Sequence, residues 1–147
     1  MEHAATARTL DAIFSTIIDG GEYGEIGSYF TPDYIDHSAV GVLHGTDAFS
    51  GMLDGFRAAM PGFRHDISDL SIIDDNTAVW QIHLTARFTG EFMGTYGNGQ
   101  EIDLWVANAA TFAEDGRVRE HWGMAQDSLA AMLSQMGIDA TVLVSAS

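Results

Sequence analysis

The stretch AEDGRVREHWG, residues 113–123, decides the fold of this chain. It places an Asp-Gly turn between two apolar runs, which is a strong signal for a β-hairpin. Alternation along the strand that leaves the turn puts three residues on each side: Val118, Glu120 and Trp122 on one, and Arg119, His121 and Gly123 on the other. The polar side chains could carry chemistry, or they could be ordinary polar positions beside a core of Val118 and Trp122.

Length, charge and composition narrow the class of protein. The 147 residues are expected to form one domain, 1–147, in which 138–147 is a tail. The net charge of −15 disfavours nucleic acid and anionic membranes as partners, because both would repel the chain. Cysteine and lysine are both absent, which excludes disulfides, thiolate chemistry and a lysine Schiff base. The sequence has no bilayer-length apolar run and no basic leader, so a cytoplasmic location is expected.

The spacing of apolar residues predicts helices first and an antiparallel meander of strands after them. Helical periodicity is found over 4–19, 22–30, 47–60 and 126–136. An extended piece at 31–38 precedes the strands predicted over 63–73, 77–89, 101–113 and 117–122. This order is typical of an α+β domain in which a sheet wraps on the helices.

The extended piece contains the adjacent pair Asp36 and His37. A carboxylate beside a histidine could act as a general base or as an orienting pair. Neighbours in an extended segment point to opposite sides, so at most one of the two can face a given pocket. The alternative is that one of them caps a turn while the other lies in the core with its polar atoms satisfied.

The surface that His121 shares depends on the length of the turn. A three-residue loop over 114–116, with its glycine left-handed, would put Asp103, Trp105 and His121 on one surface. A two-residue turn would reverse this relation. The residues beside His121 would then be Asn108 and Ala110. Both arrangements are open from the sequence, and Asp103 could equally be an exposed residue near the rim.

The polar side of the second strand holds His83 and Arg87. It would face solvent or a dimer partner in a flat sheet, and it would orient a substrate if the sheet curled round a cavity. The six histidines of the chain include no pair at the H-x-x-x-H spacing that places two ligands on one helical face. No metal is therefore predicted.

Six short motifs, in order over about residues 8 to 137, carry a resemblance to a known family. They are Pro32–His37, His44–Phe49, Phe56–Pro61, Thr89–Gly94, Asp115–Gly123 and Leu133–Gly137. Together they resemble the SnoaL-like polyketide cyclase family. The resemblance implies a cone-shaped α+β barrel of the ketosteroid isomerase and nuclear transport factor kind. In such a barrel a strongly bent antiparallel sheet wraps about three N-terminal helices plus a C-terminal helix round a deep apolar pocket, often in a homodimer packed through the sheets.

The resemblance also implies a reaction, the closure of a ring in an aromatic polyketide ester by intramolecular aldol condensation without metal or organic cofactor. An acid/base residue removes a C–H proton and then protonates the developing alkoxide. The family aspartate with this role corresponds to Gly123, and a second family histidine corresponds to Ala109. Two catalytic side chains of the family are therefore absent here.

The sequence thus predicts cofactor-independent acid/base chemistry on an apolar carbonyl molecule. The catalytic candidates are His121 with Asp36 or Asp103 as its carboxylate partner. The substrate-binding candidates are Tyr34, His37, Arg87, Trp105, Arg119 and Trp122. One alternative is a non-catalytic domain that binds a hydrophobic ligand. Another is a relative of the epoxide hydrolases or hydroxylases that uses Asp103 with Arg87 or Arg119.

Overall fold

The structure, a computed structural model, describes residues 1–38 and 40–139. Its α-helices are α1 (His3–Ala12), α2 (Thr46–Ala59) and α3 (Gln126–Met136). Its strands are β1 (Phe30–Ser38), β2 (Gly41–His44), β3 (Arg64–Asp74), β4 (Thr77–Phe88), β5 (Glu91–Phe92), β6 (Thr95–Tyr96), β7 (Gln100–Phe112) and β8 (Val118–Trp122). The α+β class predicted from the sequence is confirmed.

The first helix begins at an acidic cap and continues beyond α1 as a π-helix, Ile13–Asp19. The Glu2 carboxylate accepts hydrogen bonds from the backbone N–H groups of Ala4 and Ala5, which have no partner inside the helix. The apolar side chains on one side of the combined helix are buried: Leu10, Ile13, Phe14, Ile17 and Ile18. Their spacing explains why this segment is helical and which side packs on the sheet.

The helix predicted over 22–30 is wrong. The structure has only a 3₁₀ turn at Ile26–Ser28, and Phe30 already belongs to β1. Two glycines in this segment, Gly24 and Gly27, each disfavour a helix by about 1 kcal/mol, and the segment is too short to compensate.

Six strands form one sheet in the order β2-β1-β8-β7-β4-β3. Its pairings are antiparallel except for β1 with β8, which run parallel. The wholly antiparallel sheet expected from the sequence is therefore corrected to a mixed sheet. The short strand β2 folds back on β1 as a hairpin, and this leaves the other edge of β1 free for β8, the last strand of the chain.

One face of the sheet is buried under the helices. Alternate residues of β4 and β7 supply its centre: Trp80, Ile82, Leu84, Ile102, Leu104 and Val106. Their neighbours in the sequence lie on the other face, hereafter the outer face, where Trp105 is 62% exposed. The alternation of side chains along each strand thus separates an apolar inner face from a more polar outer face, as expected for a sheet that is covered on one side.

Helix α3 docks against β7 through a side-chain amide. The Gln135 amide accepts a hydrogen bond from the backbone N–H of Asp103 at 2.8 Å and donates one to the carbonyl oxygen of the same residue at 2.9 Å. The pairing of β7 with β8 covers only residues 109–112 of β7, so this contact lies on a part of the β7 edge where the described chain has no neighbouring strand.

The chain end lies partly outside the described residues. Ile138 packs against the core, and its N–H donates to the carbonyl oxygen of Leu133. The rest of the predicted tail, residues 140–147, lies outside the part that the structure describes. Over residues 1–38 and 40–139, no helix combines the length and apolar character needed to cross a membrane.

The end of α2 is held against the end of β4 by a close backbone contact at Gly90. The N–H groups of Thr89 and Gly90 both donate to the carbonyl oxygen of Ala59. A Cβ atom on residue 90 would overlap the carbonyl oxygen of Ala58. A glycine is therefore required for this helix to meet the sheet.

Gly90→Ala is expected to lower the free energy of unfolding by about 1–3 kcal/mol, because the backbones must separate to admit the methyl group. Gly55→Ala is the matched control, since Gly55 lies in α2 with no atom near its virtual Cβ, and alanine there should raise stability by up to about 1 kcal/mol. Urea denaturation followed by circular dichroism measures both. Equal changes in the two variants would contradict the assigned contact.

Candidate active site

The parallel pairing of β1 with β8 sets Asp36 directly beside His121. Nδ1 of His121 lies 2.7 Å from Oδ1 of Asp36, and only 2% of the aspartate side chain is exposed. A carboxylate buried to this degree needs hydrogen-bond partners, because leaving it unpaired would cost several kcal/mol. The imidazole is the first of these partners.

Tyr34 supplies the second partner of Asp36. Its hydroxyl donates to the same Oδ1 atom at 2.9 Å, and its ring is fully buried. Burial, the negative charge of Asp36 and this hydrogen bond together raise the pKa of Tyr34 well above its usual value. The hydroxyl therefore remains a donor to the carboxylate.

Asn108 contacts the other side of the imidazole. Its Oδ1 lies 2.7 Å from Nε2 of His121, and its amide nitrogen faces the carbonyl oxygen of Val106 at 3.4 Å. In this orientation oxygen acceptors flank both ring nitrogens, which suits an imidazolium ion. A half-turn of the amide would instead present its NH₂ group to a neutral ring. The amide orientation and the charge of His121 are therefore coupled.

The plane of the imidazole is fixed by stacking. Trp80 lies under it with the ring centroids 5.9 Å apart and the planes 21° from parallel. The indole meets the ring of Phe14 edge-on at 6.2 Å. A tryptophan face also stabilises a positive imidazolium, as aromatic rings do for other cations.

Asp36, Asn108 and His121 form part of the wall of a cavity between the sheet and the helices. The volume of the cavity is about 100 Å³. Most lining residues are apolar, from α2, β4, β7 and α3 among other segments. The polar residues in the wall are Asp36, Ser38, His65, Asn108 and His121. A mostly apolar cavity with a few polar groups is the usual form of a small-molecule site.

The register of β7 with β8 decides which residues join His121. The loop has three residues, since the N–H of Ala113 donates to the carbonyl oxygen of Arg117, and Gly116 has a φ of 88°. A bulge then interrupts the ladder: Phe112 pairs with Val118, but Thr111 pairs with Glu120. The extra residue, Arg119, reverses the parity of the strand. Asn108 and Ala110 therefore lie on the side of His121, although the loop itself has three residues.

Asp103 and Trp105 lie on the outer face. The Asp103 carboxylate is hydrogen-bonded to Nε2 of His83 at 2.7 Å, and Trp105 stacks on the His83 ring at 4.5 Å. The prediction that these two residues share a surface with His121 is wrong, because the bulge turns His121 inward. Asp103 is therefore no partner for His121.

The other predicted binding residues lie outside the wall of the cavity as the described residues define it. His37 stacks on Trp122 at 4.8 Å and bonds to Glu120, on the face opposite to Asp36. Arg87, on the outer face, donates to the Glu101 carboxylate. Arg119 lies in a surface groove, and Tyr34 lies behind Asp36.

Sequence reasoning missed Trp80, Asp19 and His65 as functional candidates. Trp80 lies in the core, on the side of β4 opposite to His83. Alternation along β3 places His65 on the same side as Ile67, which faces the inner residue Ile82 of β4, so the period of two could have identified it as inward-facing. No local signal identifies Asp19, because it reaches His65 across 46 residues of sequence.

The fold and the cavity define a class: small α+β proteins in which a bent sheet and its helices enclose an apolar cavity bordered by a carboxylate–imidazole pair. The family model for SnoaL-like polyketide cyclase matches residues 6–136. The chain belongs to this family, as its motifs predict. None of the curated proteins compared with the chain is significantly similar to it in sequence.

Solved structures share the fold at low sequence identity. AclR from Streptomyces galilaeus, a proposed hydroxylase, matches with a TM-score of 0.76 and 19% identity, over 92% of this chain and 98% of that one. IdmH from Streptomyces antibioticus, a proposed polyketide cyclase, gives 0.75 and 18%, over 90% and 99%. A protein with a ketosteroid isomerase-like fold from Catenulispora acidiphila, in complex with trimethylamine, gives 0.70 and 15%, over 90% and 94%. The predicted cone-like α+β fold is confirmed.

Tyr34→Phe is expected to lower the free energy of unfolding by about 1–3 kcal/mol, because the buried Asp36 carboxylate loses a donor. The raised pKa of Tyr34 means that its contribution is complete below about pH 10 and declines as the pH rises toward the folded-state pKa. Denaturant titrations at increasing alkaline pH should therefore show a shallower loss of stability in the variant than in the parent protein. Tyr96→Phe, at a residue that is 80% exposed, is the control. Identical alkaline slopes for Tyr34→Phe and the parent protein would contradict the assignment.

Proposed function

We propose that this protein binds an apolar carbonyl compound in its cavity and moves a proton between that compound and the pair Asp36–His121. The observation that carries the proposal is a buried carboxylate–imidazole pair in the wall of a largely apolar cavity. Membership of the SnoaL-like polyketide cyclase family supports the same class of chemistry. An apolar wall also favours a folded, reactive arrangement of a flexible substrate.

Asp36 is the proton acceptor in this proposal. Its Oδ1 accepts hydrogen bonds from Tyr34 and His121, while its Oδ2 has no hydrogen-bond partner among the described residues. Asp36 borders the cavity, so Oδ2 is the carboxylate oxygen assigned to meet the substrate. An acidic C–H bond of the substrate breaks, its proton moves to Oδ2, and the electron pair remains on the substrate as an enolate.

The second step returns the proton. The enolate carbon attacks another carbonyl group of the same molecule, which forms the new C–C bond and leaves an alkoxide. The alkoxide then takes the proton back from Asp36, so the carboxylate is restored and nothing else is consumed. His121, stacked on Trp80 and held by Asn108, stays hydrogen-bonded to Oδ1 and so keeps the carboxylate in position through both steps.

Gly123 supports this assignment. It borders the cavity at the position that corresponds to the family aspartate, and a Cβ atom there would lie 2.9 Å from Cε1 of His121. That approach is too close for an ordinary carbon contact, so a side chain at residue 123 would displace the imidazole from its present position. The absence of a side chain at residue 123 thus allows His121 to take the position in which it pairs with Asp36.

Asp36→Asn is expected to slow proton transfer by about 100-fold or more, and His121→Gln by a comparable factor, because each removes one member of the pair. The measurement is deuterium incorporation from D₂O at the acidic carbon of β-tetralone, an apolar ketone, followed by NMR. Asp103→Asn and His83→Gln form the matched control, since they alter the aspartate–histidine pair with the same 2.7 Å separation on the outer face. The proposal fails if the parent protein does not accelerate exchange, or if the control pair reduces it equally.

A non-catalytic domain that binds a hydrophobic ligand is the second candidate. It is favoured by the mutual satisfaction of the polar groups, since Nε2 of His121 already faces Asn108. It is also favoured by glycine and alanine at the two family catalytic positions, Gly123 and Ala109. Binding of β-tetralone without accelerated exchange would establish this candidate in place of the first.

The epoxide hydrolase or hydroxylase alternative loses its structural support. It requires Asp103 to share a water molecule with Arg87 or Arg119. In the described chain Asp103 pairs with His83, and Arg87 pairs with Glu101. Cofactor independence and a cytoplasmic location stay predictions.

A homodimer packed through the outer face is also proposed. The resemblance implies it, and the large apolar side chains exposed on that face support it: Trp105 is 62% exposed and Trp122 is 40% exposed. Exposed aromatic side chains of this size are enriched where proteins associate.

Trp105→Glu is expected to shift the protein from dimer to monomer, because a buried, unpaired charge at an interface opposes association. Sedimentation velocity over a range of protein concentrations measures the effect. Tyr96→Glu adds the same charge on β6, outside the six-stranded sheet, and should leave the dimer intact. A parent protein that sediments as a monomer would refute the dimer.

A further inference from the structure

His65, which belongs to a second aspartate–histidine pair, borders the same cavity away from β1 and β8. His65 is near the start of β3, and Asp19 is the last residue of the π-helix. Nδ1 of His65 lies 2.6 Å from Oδ1 of Asp19, and the backbone N–H of His65 donates to Oδ2 at 3.0 Å. The carboxylate therefore holds both the ring and the backbone of one residue, so the imidazole has a fixed orientation.

Aromatic rings hold the same imidazole from two further sides. The Phe63 ring meets it nearly at right angles with centroids 5.1 Å apart, and the Phe14 ring lies 5.6 Å away. The side chain of His65 is only 14% exposed. A histidine that is this well fixed is suited to position a ligand group, because little rotational freedom remains to be lost on binding.

The remaining ring nitrogen of His65 is available. Nε2 has no hydrogen-bond partner among the described residues. His65 borders the cavity that Asp36 and His121 also border, and it borders a surface groove beside Asp19 as well. A purely structural link between helix and strand would need Nδ1 and the carboxylate, but it would give Nε2 no function.

The polar groups of the cavity are thus divided between two places. Asp36, Asn108 and His121 come from β1, β7 and β8, whereas His65 comes from β3 at the far edge of the sheet. Apolar side chains of the intervening strands line the wall between them, namely Ile82, Leu84 and Val106. In the sheet order β7 and β4 lie between β8 and β3, so the two polar places are on strands that are not neighbours.

We propose that His65, held by Asp19, is a second binding point of the cavity and takes an oxygen atom at the far end of an elongated apolar ligand. Nε2 can accept a hydrogen bond from a hydroxyl group when the ring is neutral, and can donate one to a carbonyl or carboxylate oxygen when it is protonated. The ligand class is therefore an elongated apolar molecule with oxygen substituents at both ends. This inference rests on the proposed function, because it assumes that the same cavity binds the substrate.

The test compares matched probes that differ by one oxygen atom. A naphthalene diol with hydroxyl groups at opposite ends is compared with β-naphthol, and the corresponding anthracene diol is compared with the anthracene mono-ol, so that two lengths are covered. A phenolic hydroxyl both donates and accepts, so it can pair with either protonation state of His65. Dissociation constants are measured by fluorescence titration. The diol of fitting length should bind about fivefold to tenfold more tightly than its mono-ol, as one hydrogen bond provides.

The variants separate a binding role from a structural one. His65→Phe should abolish the advantage of the diol and leave the affinity for the mono-ol unchanged, while His65→Gln, which keeps a polar end, should retain part of it. His83→Phe is the control, since His83 pairs with an aspartate on the outer face. Unchanged thermal unfolding of the variants would show that the folded cavity is retained.

Three results would overturn the proposal: equal affinity of diol and mono-ol at both lengths, no binding of either class, or an equal loss for both probes in His65→Phe. The measurement needs no turnover, so it is separable from the proton-exchange test of Asp36 and His121. Loss of exchange with a retained diol advantage would refute the proposed reaction and leave His65 as a binding point. Accelerated proton exchange without a diol advantage would refute only the role of His65.

Discussion

The structure depends on one polar contact, the hydrogen bond between Asp36 and His121 across the parallel strands β1 and β8. Burying a carboxylate costs several kcal/mol unless donors surround it, so this contact constrains everything near it. Tyr34 supplies a second donor, Trp80 holds the plane of the imidazole, and Gly123 leaves it room. The irregular stretches of both strands, a register shift within β1 and the bulge in β8, allow these side chains to meet.

The two faces of the sheet show how burial changes the energetic role of the same aspartate–histidine pair. Asp103 and His83 repeat on the outer face the 2.7 Å contact of Asp36 and His121, but 65% of the Asp103 side chain is exposed, against 2% for Asp36. In the single chain water reaches the outer pair, and an exposed pair of this kind contributes about 0–1 kcal/mol to stability. The inner pair lies in a low dielectric, where its charges act strongly on anything that enters the cavity. Sequence alone cannot separate the two pairs, because each is an aspartate and a histidine on neighbouring strands.

The periodicity of the sequence predicts much of the architecture but only part of the site. The closing helix, the long strands and the α+β class follow from apolar spacing, which reports burial directly. Asp36 and His121 were recognised as candidates, but Asp103 was offered as an alternative partner because a three-residue loop normally preserves parity. The three-residue loop is one of the two turns that the sequence leaves open, and the single extra residue Arg119 reverses its consequence. A bulge of this kind depends on tertiary packing, so the local sequence did not predict it. His65 and Asp19 were missed for a related reason, since they meet only when the first helix docks on β3.

The contact of Gln135 with β7 has a consequence for how the protein behaves in a crowded solution. Among the described residues, no strand pairs with the part of β7 before residue 109 on the edge where β8 pairs further along. A bare row of backbone donors and acceptors is a template for adding a strand from another molecule. The Gln135 side chain makes at Asp103 the two hydrogen bonds that an incoming strand would need. Helix α3 thus blocks the addition of a strand at this edge, in addition to packing on the core.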